Sequence, residues 1–236
     1  MGQVLEEGAP GRSYPEPPYM NASIHELEIR QFLYRYFAAF FLYPNQERLL
    51  KLQTFSERLA DLGDEWAHLP FAAPLKALVD LMRGFPLVEK KALVDEFNRL
   101  FQVKPVAPPY ETYFRATAGH LDGRIAAEIH QAYASSGLNP SPILNEQPDH
   151  LALELEFLSF LCGKEIEAIR ADDQEAADLV RNEQGRFLEE HLARWFPAFA
   201  KKAGSEAQLE VHRKLLQSLF AFLRNELAIL ETAQKF

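Results

Sequence analysis

The stretch from Leu151 to Leu161, LALELEFLSFL, limits what this chain can become. On a helix, Leu151, Leu153, Leu155, Phe157, Leu158, Phe160 and Leu161 point around nearly the whole circumference. A helix that is apolar on all sides is mostly buried, and the remaining sequence supplies helices to cover it. Ser23 and Glu26 form an S-x-x-E capping box ahead of a stripe at Ile29, Leu33, Tyr36 and Phe40, widened by Phe32, Phe37 and Phe41. Pro44 stops that helix, and Asn45 caps a second one running through Leu49, Leu50, Leu52, Leu59 and Leu62. After Gly63 comes an amphipathic stretch from Glu65 to Met82, interrupted by Pro70 and Pro74. The next runs from Pro86 to Phe101, with proline at a favourable first-turn position. Asp122 opens a helix carrying Ile125, Ile129 and Tyr133, which Gly137 ends. Three more are expected at Pro148 to Ile169, Asp172 to Trp195 and Ser205 to Ala233, the last begun by a second capping box of Ser205 and Gln208. Its seam runs Leu209, Leu216, Phe220, Leu223, Leu227 and Leu230, spaced as in a bundle.

No segment shows strand alternation, so the expected fold is all-α: a single-domain helical bundle over residues 21–236. The proline-rich connector QVKPVAPPYETYF, residues 102–114, joins its N- and C-terminal helices, and its three prolines make it extended and stiff. Residues 1–20 hold four of the fifteen prolines and read as a flexible lead.

With 47% hydrophobic and 12% aromatic residues, 236 residues can build one sizeable core. Against 25 Lys and Arg stand 34 Asp and Glu, a net charge of -9. That excludes an electrostatic footprint for nucleic acid and favours a basic partner, such as a peptide bearing arginines. Cys162 is the only cysteine, so neither an intramolecular disulfide nor a thiolate zinc cluster can form. No charge-free stretch reaches membrane-span length, and the first twenty residues lack the apolar core of a signal peptide. Glu6 stands where a myristoylation signal has Ser or Thr. A cytoplasmic protein without membrane insertion is expected.

Catalytic motifs are scarce. Glu65 and His68 form the single Glu-x-x-His, where a ferritin-like di-iron site needs two. HExxH, G-x-S-x-G, GxxxxGK[ST] and GxGxxG are all missing. The polar residues worth following are Glu146, Asp149, His150, Glu154 and Glu156, which enter the apolar helix at its start. Pro148 fits the first helical position, and Asp149 after it lies where the helix dipole favours a carboxylate. His150 and Glu154, at i and i+4, share a face. Buried polar groups must be paired or line a cleft. The residues alone leave open a binding cleft, a structural network in a regulatory helical scaffold, and a metal-dependent hydrolase using Asp149, His150 and Glu154 with a second-helix ligand such as His191.

The same segment, NEQPDHLALELEFLSFL, resembles the E-x-P-D-H signature of the TorD/DmsD/NarJ-type chaperones for molybdoenzymes, with Glu146, Pro148, Asp149, His150, Glu154, Leu155 and Phe157 in register. EFNRLFQV (95–102), PPYETYF (108–114), AYASSGL (132–138) and FLEEHLARWFPAF (187–199) are similar to further family elements, in the same order. The resemblance covers about residues 25–232; Thr112 replaces a common serine but keeps the hydroxyl, and the N-terminal lead falls outside the shared pattern. It implies an all-helical chaperone that is not an enzyme. Its partners would be the N-terminal, often twin-arginine, leader and the apo form of a molybdopterin oxidoreductase subunit, held until the molybdenum cofactor is inserted. Carried over, the client-binding residues are Asp149 and His150, with Glu146 and Pro148 shaping the turn, Tyr110 and Tyr113 nearby, and Glu154 in the same signature. No cofactor of its own is expected. Guanine nucleotide is attributed to some members of the family, but this chain has no phosphate loop. The protein is expected as a monomer or homodimer.

Overall fold

The computed structural model describes residues 23–85, 90–116, 123–138 and 146–233. The lead 1–20, Pro86, Leu87, Asp122, Pro140 and Pro142 lie outside the described residues. Every regular element among those described is helical, so the bundle expected from periodicity is the fold. Helix α1 (Ile24–Phe40) starts where expected: Ser23 and Glu26 complete the capping box in both directions. Asn45 likewise caps α2 (Gln46–Asp61), its side chain accepting from the Arg48 N–H at 2.8 Å. Of the leucines expected along it, Leu50 is the one the fold leaves exposed. The stretch after Gly63 divides into a single turn, α3 (Gly63–Trp66), and α4 (Ala72–Arg83). Helix α5 (Lys90–Phe97) widens into a π turn over Asn98–Gln102, after which the connector leads to a short α6 (Glu111–Arg115) and α7 (Gly123–Ser135). Gly137, at φ 82°, supplies the left-handed residue that ends α7.

Helix α8 (Leu151–Arg170) is the central one, lying against α1 on one side and α9 (Gln174–Phe187) on the other. Its residues Leu151, Leu155, Phe157, Leu158 and Leu161 are fully buried, as an all-round apolar helix must be. Helix α1 crosses α8 antiparallel, since Gln31 and Ser159 exchange hydrogen bonds at mid-length and Glu28 reaches Arg170 at the end.

Three boundaries differ from expectation, two of them because a distant group intervenes. The chain does not stop at Trp195: α9 passes through a π turn at Leu188–Leu192 into α10 (Ala193–Glu206), which contains Pro197. Ser205 is not a cap but lies in the last turn of α10, donating to the Lys202 carbonyl. The cap of α11 (Glu210–Ala233) comes from α5 instead, where Glu96 accepts from the Gln208 and Leu209 N–H groups at 2.6 and 3.0 Å. The third case, the start of α8, belongs to the site below. On α11 the deepest residues are Leu215, Ser218, Leu219, Phe222 and Glu226, so the buried face is rotated from the expected seam and Phe220 and Leu227 sit at its margin.

Four helices are also tied by a buried polar network. Arg30 on α1 donates from Nε to both oxygens of Glu226 on α11, at 3.1 and 2.8 Å, and from Nη2 to Gln184 on α9. Tyr34 donates to Glu226 at 2.8 Å. Gln184 passes the chain to Glu165 on α8, which also accepts from Arg181 at 2.8 Å. Cys162 is buried beside Gln184, and burial pushes its thiol up to about 12.

Candidate functional site

The expected client-binding residues meet where the connector crosses the start of α8. Sequence places Pro148 and Asp149 inside the helix, but both lie in the turn before it and His150 is the N-cap. The His150 Nδ1 accepts from the Ala152 N–H at 3.1 Å, which fixes the tautomer with the proton on Nε2. The reason is the connector. Its backbone pairs with the turn through an antiparallel bridge between Tyr110 and His150, with Leu151 N–H donating to Pro109 O and Glu111 N–H to Asp149 O.

Asp149 therefore serves another helix. One carboxylate oxygen accepts from both the backbone N–H of Thr112, at 3.0 Å, and its hydroxyl, at 2.5 Å, so Asp149 caps α6 from across the chain. This contact gives Thr112 a reason to keep its hydroxyl. Asp149 and His150 are 2% and 3% exposed, and burial holds His150 neutral, down at about 4. They are not presented to solvent; they lock the connector in place. Pro148 offers its carbonyl to Tyr133 at 2.8 Å.

Exposure falls to other members of the set. Tyr113 is 46% exposed, beside half-buried Phe114. Tyr110, packed edge-on against His150, donates to the half-buried Glu146 at 2.7 Å; burial and that carboxylate push its phenol well up.

Beneath α6 lies a cluster that sequence reading largely missed. Glu111 is fully buried, ion-paired to Arg115 and 3.0 Å from His191 Nδ1. Glu154, also fully buried, accepts from Trp195 Nε1 at 3.1 Å. Burial and the Glu111 carboxylate push the Glu154 carboxyl well above the usual carboxylate range. The one sequence signal for Glu111 is Arg115 four residues on. His191 bonds Glu111, Asp149 bonds Thr112, and His150 Nδ1 is spent on its cap, so the residues of the hydrolase reading converge on no common point. Among the described residues no group of three His, Cys, Asp or Glu could hold a metal ion. No described helix is long and apolar enough to cross a membrane.

The cluster borders an open cleft of about 380 Å³ between α6, α7 and α9. Glu128, Glu183 and Glu190 line it together with Arg115, Arg186 and Arg194, and His191 forms part of its wall.

Residues 67–201 match the family model described as nitrate reductase delta subunit, more than half of the chain. The chain belongs to this family. A chaperone protein TorD from Psychrobacter sp. (strain PRwf-1) is 26% identical over 86% of this chain and 91% of its own. A selenate reductase assembly chaperone protein from Thauera selenatis is 34% identical over 50% of this chain and 60% of its own. In fold, the chain is similar to the crystal structure of a proposed redox enzyme maturation protein from Archaeoglobus fulgidus, with a TM-score of 0.52, 22% identity, and coverage of 92% of this chain and 99% of that one. The nitrate reductase delta subunit family is thus represented here by chaperones, and this member is a chaperone rather than an enzyme. The Asp149–His150 turn is joined to the connector by the Tyr110–His150 bridge and by the Asp149–Thr112 hydrogen bonds.

Proposed function

We propose that this protein is a cytoplasmic chaperone that binds the N-terminal, twin-arginine leader of a molybdopterin oxidoreductase subunit of the DMSO-reductase type. It assists molybdenum cofactor insertion and assembly before export. The observation that carries this reading is the locked connector, which offers Tyr113, Phe114 and the Tyr110–Glu146 pair at the surface beside a cleft lined by Glu128, Glu183 and Glu190. The assembly-chaperone relative from Thauera selenatis supports a reductase as the client. A leader couples guanidinium groups to an apolar stretch. Carboxylates hold guanidinium through charge-assisted, often bidentate bonds, while the aromatic rings take apolar side chains. The -9 charge speeds the encounter at low salt. Ordering a leader costs entropy, so affinity is moderate and release ready.

Asp149 and His150 act by holding the connector, and Glu154 by filling the buried cluster beneath it. The chaperone acts as a monomer or homodimer and needs no cofactor of its own.

The test is calorimetric titration of the full chain with leader peptides of molybdoenzymes from the same genome, each paired with a version in which both arginines are alanine. Leader binding that weakens by roughly tenfold or more in the alanine versions is expected, with Tyr113→Ala weakening it further at unchanged melting temperature. Absence of binding to every leader and to every apo subunit refutes the proposal.

A further inference from the structure

At the opposite end of the bundle, α1, α11 and the α3–α4 turn enclose a cavity of about 440 Å³, within the size range of small-molecule sites. It is separate from the connector: Glu165, in the network beneath its floor, lies about 20 Å along α8 from Leu151 at 1.5 Å per residue. Its walls are Ile29, Leu33, Leu69, Phe71 and Ile229. Ile229, at 39%, is one of the few large apolar side chains left exposed, and it stands at the mouth. The floor is polar: Arg30, only 8% exposed, lines the cavity together with Glu226. Arg30 spends Nε on Glu226 and Nη2 on Gln184, and Nη1 takes no part in those bonds. His25 and Glu65, hydrogen-bonded to each other, form one side of the rim, with His68 and Asn225 also on the lining.

We propose that this cavity binds a small uncharged molecule with an apolar body and a carbonyl-type acceptor directed at Arg30. Charge decides between acceptors. In the network under the floor the guanidiniums of Arg30 and Arg181 face the carboxylates of Glu226 and Glu165 and are balanced by them. An added carboxylate would leave an uncompensated negative charge in a buried place, which is costly. A neutral carbonyl takes a hydrogen bond from the guanidinium without that cost, and the walls bury the rest of the molecule.

Prodan, a neutral naphthalene bearing a ketone, is a suitable probe, with 2-naphthoate as its anionic counterpart. Titrated into the full chain, prodan should bind at one site with blue-shifted emission, and 2-naphthoate should bind roughly tenfold more weakly or worse. Ile229→Trp narrows the mouth from an exposed position, and Leu69→Trp fills a half-buried wall. Either one, with an unchanged thermal melt, should weaken prodan by roughly tenfold, while Leu179→Ala on the exposed side of α9 should not. The proposal fails if both tryptophan variants bind prodan as the parent does, or if 2-naphthoate binds as tightly as prodan. It fails equally if the full chain ignores prodan while a chain beginning at Ser23 binds it, because the cavity would then belong to the protein's own preceding residues.

Discussion

Two buried polar clusters lie at opposite ends of α8 and solve the same problem differently. Around Arg30 every carboxylate has a guanidinium: Glu226 takes Arg30, Glu165 takes Arg181, and Gln184 and Tyr34 fill remaining positions. Under α6, Glu111 takes Arg115 and His191, leaving Glu154 with one indole N–H and a neighbouring carboxylate. The first cluster is charge-balanced and ties together four helices. In the second, burial and the neighbouring Glu111 carboxylate push the Glu154 carboxyl well above its ordinary range. It also borders the open cleft next to the connector. The difference teaches where pH can act: the balanced cluster is fixed in charge, whereas the connector end holds groups whose burial ties them to one protonation state.

The largest expected effect lies at the balanced end. Glu226→Gln strands the Arg30 charge and should cost about 3–5 kcal/mol in urea unfolding, whereas the double change Arg30→Met with Glu226→Leu should recover most of it. Equal losses in the single and double variants would show that the pair is not the unit. Next comes acid sensitivity at the connector end. The folded His150 sits at about 4 against an ordinary value of 6.5. The unfolded chain therefore binds more protons in between, and stability is lost as pH falls through that window, by about 3 kcal/mol in all. His150→Asn keeps a capping acceptor and should flatten that part of the pH profile; His212, held at about 4 by burial near Glu96, will leave a slope of its own. The smallest effect belongs to Glu154→Gln. Below about pH 4.5, where the carboxyl is protonated in the folded and unfolded chain alike, the change should move stability by less than about 1 kcal/mol. Its folded value is raised, so the parent loses stability as pH rises above about 4.5. The glutamine variant should lack that decline, and a parallel profile would place an ionised Glu154 in the folded state.

Helix starts that depend on near neighbours are readable from sequence. Ser23 with Glu26 and Asn45 with Arg48 cap their own helices within three residues. The start of α8 reads three residues early because Pro148 and Asp149 carry every local mark of a helix entrance, yet Asp149 is drawn to Thr112 and the backbone to Pro109. The family signature locates this turn without revealing its role, since nothing in the sequence shows that Asp149 and His150 face inward while Tyr113 faces out. Arg30 and Glu226 look like ordinary surface charges in sequence, as does Glu111 apart from Arg115 four residues on, because Glu226 and His191 lie on helices remote from Arg30 and Glu111 and only packing brings them together.

The Glu96 contact has a consequence for the order in which the molecule assembles. The carboxylate and the Gln208 N–H it receives are 112 residues apart. During synthesis α5 emerges long before α11, so Glu96 waits, buried or not, until α11 arrives. Closing so long a loop costs only a little more entropy than closing a short one, but contacts of such long range slow the search. Helix α11 should therefore gain hydrogen-exchange protection after α5, and it supplies Phe222 and Glu226, the groups that complete the core and the four-helix tie.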